Sequence, residues 1–322
     1  RSDITTMAND TAMNTMQHFL QIEDFSRDTL LQLIDKANTI IHTDQKQQQQ
    51  RGILAGKTLV NLFLEPSTRT RVSFELAARR LGGEVINLDN QQSSMRKNED
   101  LLDTILSLQA MDCQLFALRH PKNSTVTTVS KQVPKGIAII NAGDGTRAHP
   151  SQALLDMLTI QQHKQDFSNL TVAIIGDIKH SRVANSQITA LRRLGVKEIR
   201  LIGPETLLLT DLNDPLITTE TSLVQGLQDA DVVIVLRIQQ ERFQTEALPD
   251  LKEYYQHYGL TQSKLAHAKP DAIVMHPGPV NRGIEIDTEI CDGPQSVIRQ
   301  QISNGVAMRM AILSTLVKNL LQ

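Results

Sequence analysis

Only two cysteines occur in the 322 residues, Cys113 and Cys291, and they lie far apart in sequence. That excludes a disulfide framework and any metal site built from cysteine, and leaves two buried, reduced thiols as the expectation. No apolar run approaches the length of a membrane span. The N-terminus, Arg1 to Gln17, is polar and lacks the apolar core of a secretory signal, so a cytoplasmic location is expected. Neither sign of charge dominates, with 33 basic residues against 35 acidic ones. This argues against nucleic acid or an anionic membrane surface as a partner. A dinucleotide fingerprint is also missing. The stretch Ala173-Ile174-Ile175-Gly176-Asp177 looks like a nucleotide-binding strand and loop, but Gly176 is a lone glycine with no G-x-G-x-x-G, so a pyrophosphate could not approach closely.

What the chain does contain is an alternation of short apolar runs with segments of helical period. Strands are expected at 58–64, 84–88, 114–118 and 136–140. After His149-Pro150 and a helix from Ser151 to His163 they are expected again at 171–176, 198–202, 231–236 and 272–275. Ahead of these, Asp24 to Ile41 has helical periodicity and dissolves into a glutamine-rich loop at 45–50. Such alternation gives parallel sheets covered on both faces. The length allows two domains, each with its own core. The fold class is therefore α/β: two doubly wound parallel-sheet domains joined by interdomain helices. The first is expected at 1–150 and the second at 151–294, with an apolar-periodic C-terminal helix within 295–322 returning to the first.

One stretch concentrates chemistry. Leu64-Glu65-Pro66-Ser67-Thr68-Arg69-Thr70-Arg71 follows a strand and opens a helix whose Phe74, Ala77, Ala78 and Leu81 share a face, until Gly82-Gly83 ends it. At such a turn the free N–H groups and the positive end of the helix dipole converge. Taken singly, Ser67 reads as an N-cap and the arginines as a solvated face. Three hydroxyls and two arginines within residues 67–71 read instead as a cage for a phosphate.

The remaining candidates also follow strands, where ligands bind in open parallel sheets. Arg119-His120-Pro121 is one. Asn141-Ala142-Gly143-Asp144-Gly145 is another, read as a glycine-rich turn leading to His149-Pro150-Ser151-Gln152, with Ser151 able to cap the next helix. A neutral His149 could donate to a carbonyl oxygen as it becomes an oxyanion, and Gln152 could face the same ligand. In the second half, Arg182 and the segment Arg237-Ile238-Gln239-Gln240-Glu241-Arg242 together suit a substrate with two carboxylates, while either arginine alone reads equally well as a solvated charge. Met275-His276-Pro277-Gly278-Pro279 is too rich in proline and glycine for helix or sheet, and reads equally as a tight turn or as a rigid loop offering carbonyls to a ligand's nitrogen. Ser93 and Lys97 lie on a polar loop before an amphipathic helix, with Asn98 and the acids after it as a helix start.

Together these motifs resemble the catalytic chains of the aspartate carbamoyltransferases, from about residue 57 to the C-terminus. The ornithine enzymes share the Ser-Thr-Arg-Thr-Arg string but carry Ser-Met-Gly and His-Cys-Leu-Pro segments, and neither occurs here. The resemblance implies that carbamoyl phosphate and L-aspartate give N-carbamoyl-L-aspartate and phosphate, an early step of pyrimidine synthesis, with no metal or organic cofactor. It implies that Ser67, Thr68, Arg69 and Thr70 bind phosphate, with Arg119 shared between phosphate and carbonyl. Thr70, Arg119 and His149 would hold the oxyanion. Gln152 and the carbonyls of Pro277 and Gly278 would meet the carbamoyl nitrogen. Arg182, Arg237 and Gln239 would fix aspartate, and the two domains would close on the substrates. The resemblance further implies a homotrimer in which Ser93 and Lys97 reach a neighbouring chain's site. The family usually has Gly after that lysine, where this chain has Asn98. Assembly with regulatory or dihydroorotase-like chains is left open, as are two rival readings, another amino acceptor and a non-catalytic assembly subunit.

Overall fold

Leu59, Val60, Asn61, Leu62 and Phe63 are all buried, although alternate side chains of a strand point to opposite faces. A strand covered on both faces belongs inside a parallel sheet. The computed structural model describes residues 13, 15–43, 52–89, 100–210, 213–239 and 250–320. It divides into two compact units, Arg1–Leu158 with Asn304–Gln322, and Thr159–Ser303.

In the first unit, helix α1 (Arg27–His42) starts at Ser26, whose Oγ accepts the Thr29 N–H at 3.1 Å. Strands and helices then alternate: β1 (Thr58–Phe63), α2 (Thr68–Arg80), β2 (Glu84–Asp89), α3 (Leu101–Ala110), β3 (Leu115–His120), α4 (Thr125–Ser130), β4 (Ala138–Asp144) and α5 (Pro150–Lys164). The strands form one parallel sheet in the order β2-β1-β3-β4. Its core includes Val60, Leu62, Ile105, Phe116, Leu118 and Ile139. Helix α2 ends in a Schellman motif, with Gly83 N–H on the Ala78 carbonyl at 2.9 Å and Gly82 N–H on that of Arg79 at 3.0 Å. Gly82 has φ 83°, which a side chain would resist.

The second unit continues with β5 (Thr171–Ile175), α6 (Arg182–Leu194), β6 (Glu198–Ile202), β7 (Ile217–Glu220), α7 (Leu223–Leu227), β8 (Val232–Val235), α8 (Leu251–Tyr258), α9 (Gln262–Leu265), β9 (Ile273–Met275) and α10 (Thr288–Cys291), and the chain rejoins the first unit within α11 (Ile298–Leu320). Its sheet is parallel in the order β7-β6-β5-β8-β9. Ile175, Ile202, Val233, Val235, Tyr254 and Val274 are among its core residues. Both cysteines are buried and free. Among the described residues no helix is long and apolar enough to cross a membrane.

Four local expectations are corrected. The turn expected at 141–145 is largely strand, since β4 runs through Asp144 and all seven of its residues are buried. Arg119 and His120 are the last residues of β3 rather than the loop after it. Helix α5 begins at Pro150, so Ser151 lies inside it, fully buried, and does not cap it. Strand β7 was not expected from sequence. It is a four-residue edge strand with Thr218 and Thr219 exposed, so it carries no apolar run to announce it. The unit divisions at Leu158/Thr159 and Ser303/Asn304 fall within α5 and α11, whereas the sequence reading divided the chain at 150/151 and 294/295.

Candidate active site

A parallel sheet has a crevice where neighbouring strands lead their helices in opposite directions, and ligands bind there at the carboxyl ends. In the first sheet β1 continues to β2 on one side, while β3 and β4 lie on the other. The crevice therefore opens between the ends of β1 and β3. The residues there are Leu64 to Thr70 and Arg119.

The Leu64 N–H donates to the Arg119 carbonyl at 2.9 Å, carrying the β1–β3 pairing one residue past the strand. The chain then turns at Pro66 and enters α2. Ser67 holds the N-cap position in extended conformation (φ −161°, ψ 97°), yet its side chain makes no capping hydrogen bond. No acidic residue lies in the first turn of α2. The positive end of the dipole is therefore not neutralised by a capping hydroxyl or a carboxylate of that turn, the condition an anion site needs. Ser67 is half-buried, Thr68 and Arg69 are exposed, and Thr70 is buried.

Arg119 is buried and held from two directions. One terminal nitrogen donates to the Ala142 carbonyl of β4 at 3.2 Å, and the other meets Glu65 Oε1 at 3.3 Å. Sequence reading passed over Glu65, whose position two residues before the hydroxyl string was its only signal. The pair orients the guanidinium at the same strand ends as the hydroxyls.

The β4 end brings in a third group. Asn141 Oδ1 accepts the Gly143 N–H and its Nδ2 donates to the Leu20 carbonyl, both at 2.8 Å. Asp144 N–H donates to the Ala148 carbonyl at 2.9 Å, closing the loop over 145–147. Asp144 Oδ2 also accepts the Ser124 N–H at 3.0 Å, and burial raises its pKa above the ordinary carboxylate value. The loop delivers His149, buried, to the start of α5, where its carbonyl accepts the N–H groups of Gln152 (3.1 Å) and Ala153 (3.2 Å). His149 thus holds the place the sequence reading offered to Ser151. Gln152, also buried, donates its amide nitrogen to Asp156 Oδ1 at 2.9 Å.

In the second sheet β6 and β7 lie on one side of β5 and β8 and β9 on the other, so the crevice opens between the ends of β5 and β8. Gly176 follows β5 with φ 132°, and a Cβ there would come within 3.1 Å of Leu236 Cβ, so a bare glycine lets the two strand ends approach. Arg182 opens α6 behind Ser181, whose Oγ caps the Ala184 N–H. Arg237 follows β8. Both are partly exposed, and Gln239 is exposed. Asp177 Oδ1 lies 2.9 Å from His180 Nδ1 and accepts the His180 N–H, which ties the loop between Gly176 and Arg182.

The loop after β9 is pinned by a pair that sequence reading did not single out. His276 Nδ1 accepts the Gly278 N–H at 2.8 Å, so its Nε2 carries the proton and donates to Glu285 Oε1 at 3.0 Å. Both side chains are fully buried. Glu285 Oε1 also accepts the Asn281 N–H at 2.7 Å, and Asn281 Nδ2 donates to the Ile238 carbonyl at 2.9 Å. Pro277 and Gly278 are thus held beside the end of β8. Ser93, Lys97, Asn98 and Arg242 lie outside the described residues.

Two family models together match most of the chain. Residues 17–162 match aspartate/ornithine carbamoyltransferase, carbamoyl-P binding domain, and 168–316 match aspartate/ornithine carbamoyltransferase, Asp/Orn binding domain. The chain belongs to the aspartate/ornithine carbamoyltransferase family. Among solved structures, an aspartate transcarbamoylase from Trypanosoma cruzi in complex with carbamoyl phosphate superposes with a TM-score of 0.86 at 31% identity, over 94% of this chain and 97% of that one. The catalytic subunit of M. jannaschii aspartate transcarbamoylase is 34% identical, with a TM-score of 0.81 over 94% and 98%. An ornithine carbamoyltransferase from Pyrococcus furiosus is 27% identical, with a TM-score of 0.82 over 94% and 97%. Both branches of the family are thus similar in fold, and the choice of acceptor has to be argued from side chains.

Proposed function

We propose that the chain transfers the carbamoyl group of carbamoyl phosphate to the α-amine of L-aspartate, giving N-carbamoyl-L-aspartate and phosphate for pyrimidine synthesis. The observation that carries the acceptor is the pair Arg182 and Arg237, one at the carboxyl end of β5 and one at that of β8. Two arginines beyond the ends of neighbouring strands suit a ligand with two carboxylates, and would repel the side-chain ammonium of ornithine. Similarity to the Trypanosoma cruzi enzyme in complex with carbamoyl phosphate and aspartate supports the same reading.

On this reading Ser67, Thr68, Arg69 and Thr70 bind the phosphate at the start of α2. The amine attacks the carbamoyl carbon, and a C–N bond forms. Negative charge then develops on the former carbonyl oxygen, where Thr70, Arg119 and His149 stabilise it. As the C–O bond to phosphate breaks, charge moves onto the leaving group and the hydroxyl and arginine cage gains strength. The attacking amine passes its proton to the departing phosphate, and no side chain needs to form a covalent intermediate. Gln152 and the carbonyls of Pro277 and Gly278 meet the carbamoyl nitrogen, while Arg182, Arg237 and Gln239 hold aspartate. Ser93 and Lys97 act in a neighbouring chain of a homotrimer.

The test is a product assay with carbamoyl phosphate and a panel of amino acids. Saturable activity with L-aspartate, none measurable with L-ornithine, and competitive inhibition by succinate are expected. A better rate with ornithine, or with an acceptor bearing one carboxylate, overturns the assignment.

A further inference from the structure

The Gln152 carboxamide has two ends of nearly equal size, one a donor and one an acceptor. Its nitrogen end donates to Asp156 Oδ1 at 2.9 Å, one helical turn along α5, in a buried contact. An ionised carboxylate only accepts. Turning the amide over would set its oxygen against the carboxylate, and leave the donor end facing the other way. Among the described residues the only protein hydrogen bond of this amide is the one its nitrogen end donates.

Asp156 is itself fully buried, and a buried carboxylate stays ionised only beside a compensating charge. Arg309 of α11, also buried, is such a charge, and Asp156 in turn favours the charged form of its guanidinium. The Arg309 guanidinium donates to Ser73 Oγ in α2 at 2.9 Å, to Ser151 Oγ in α5 at 3.3 Å and to the Gly305 carbonyl at 3.2 Å. The two helices it joins are those whose first turns carry Ser67 to Thr70 and His149 to Gln152.

We propose that Asp156 is a positioning residue that locks the Gln152 amide with its carbonyl oxygen toward the ligand, so that the site selects an acyl phosphate bearing an N–H group. The inference rests on the function proposed above. Its ligand chemistry is specific: a carbamoyl phosphate can donate to that oxygen, whereas acetyl phosphate, equal in charge and close in shape, offers it only a methyl group. With Asn at position 156, either end of the Gln152 amide finds a partner, and the selection is lost.

The experiment compares two numbers in one protein, the KM for carbamoyl phosphate and the inhibition constant of acetyl phosphate competing with it. Asp156→Asn is expected to raise the first about 10-fold or more, the loss of one well-placed hydrogen bond (on the order of 1.4 kcal/mol per tenfold). The second should change less than about twofold. Loosened packing alone would weaken both ligands alike, so an equal loss, or an unchanged ratio, overturns the proposal while leaving carbamoyl transfer in place. Should Asp156→Asn not be recovered folded, Gln152→Met removes the amide and keeps Asp156. It must bring the two constants together, and retention of the wild-type ratio overturns the proposal. Wild-type protein that turns over no carbamoyl phosphate overturns this inference and the proposed function together.

Discussion

The guanidinium carbon of Arg309 lies 4.9 Å from the centre of the Phe74 ring. Phe74 is fully buried on the core face of α2, so the cation is fixed against the helix whose first turn holds Ser67 to Thr70. Burial lowers the Arg309 pKa to about 10, and the positive charge of Arg119 adds to that, while Asp156 opposes both. The cation is costly where it stands, and Asp156 offsets part of that cost.

Removing one partner of a buried pair leaves the other uncompensated, typically at a cost of about 3–5 kcal/mol. Arg309→Met, similar in length and apolar, is therefore expected to destabilise the first unit by about that much in urea unfolding. Adding Asp156→Asn should restore part of the loss. A fully stable Arg309→Met protein, or a double variant weaker than the sum of the two single ones, would disprove the coupling.

Arg69 stands at the other extreme, exposed in the first turn of α2. An exposed arginine contributes little to stability. If it meets the departing phosphate, its value is greatest as charge moves onto that leaving group. Arg69→Ala is expected to lower kcat by a factor of about 100 or more, with the melting temperature nearly unchanged. Near-normal turnover in a well-folded variant would remove α2 from the centre of the mechanism.

How much of this was legible in the sequence depends on the period each residue obeyed. The β1–α2 junction was readable because five apolar positions of strand length give way at Pro66 to helical spacing. The sequence placed Arg182 and Arg237 after strands, and in the structure Arg182 opens the helix that follows β5 while Arg237 lies two residues past β8. Asp144 was misread, since glycine and aspartate signal a turn, and here the chain stays extended with Asp144 accepting the Ser124 N–H. Ser151 was misread as a cap because proline at 150 invites a helix start, and the cap position fell to His149 instead. Arg309 left a signal that was not used: a lone cation among Val306, Met310 and Leu313 on an apolar helix. Asp156, four residues after Gln152, had the right spacing for a same-face partner. Its significance needs Arg309, which is remote in sequence and adjacent only once the sheet is built.

Lys36 supplies a pH signature. Its ammonium donates to Thr315 Oγ1 at 2.8 Å, half-buried in α1, and the hydroxyl in turn donates to the Ala311 carbonyl. Burial, with the charge of Lys318 in addition, lowers the Lys36 pKa from 10.5 to about 8. Below pH 8 folded and unfolded chains both hold the proton, and the cost of the desolvated charge is fully present. Between about 8 and 10.5 the unfolded chain keeps a proton that the folded chain has lost, so stability rises with pH in that window. The shift corresponds to about 3 kcal/mol for complete desolvation, which solvent at the half-buried chain reduces to on the order of 1–2 kcal/mol. Lys36→Met is expected to raise the melting temperature at pH 7 by a few degrees and to flatten the rise between pH 8 and 10.5. An unchanged slope in the variant would mean that another group carries the dependence.

The two branches of the family diverge in the acceptor. Arg237 belongs to the second unit, whereas Ser67 to Thr70, Arg119 and His149 belong to the first. If the two units divide the substrates, a change at Arg237 should be felt by aspartate and not by carbamoyl phosphate. Opposite charges about 4 Å apart at an effective dielectric near 20 attract by on the order of 4 kcal/mol, and like charges repel by as much. Solvent and conformational freedom reduce the net effect, so a loss of about 2–3 kcal/mol is expected in Arg237→Ala. That corresponds to a rise of about 30- to 150-fold in the KM for aspartate. The inhibition constant of succinate should rise in parallel, because succinate keeps both carboxylates. The dissociation constant of carbamoyl phosphate, measured without acceptor, should move less than twofold. Arg69→Ala should show the reverse pattern, weakening carbamoyl phosphate first. If Arg237→Ala weakened both substrates alike, or left aspartate untouched, Arg237 would not be an acceptor residue and the choice of aspartate over ornithine would lose its chief support.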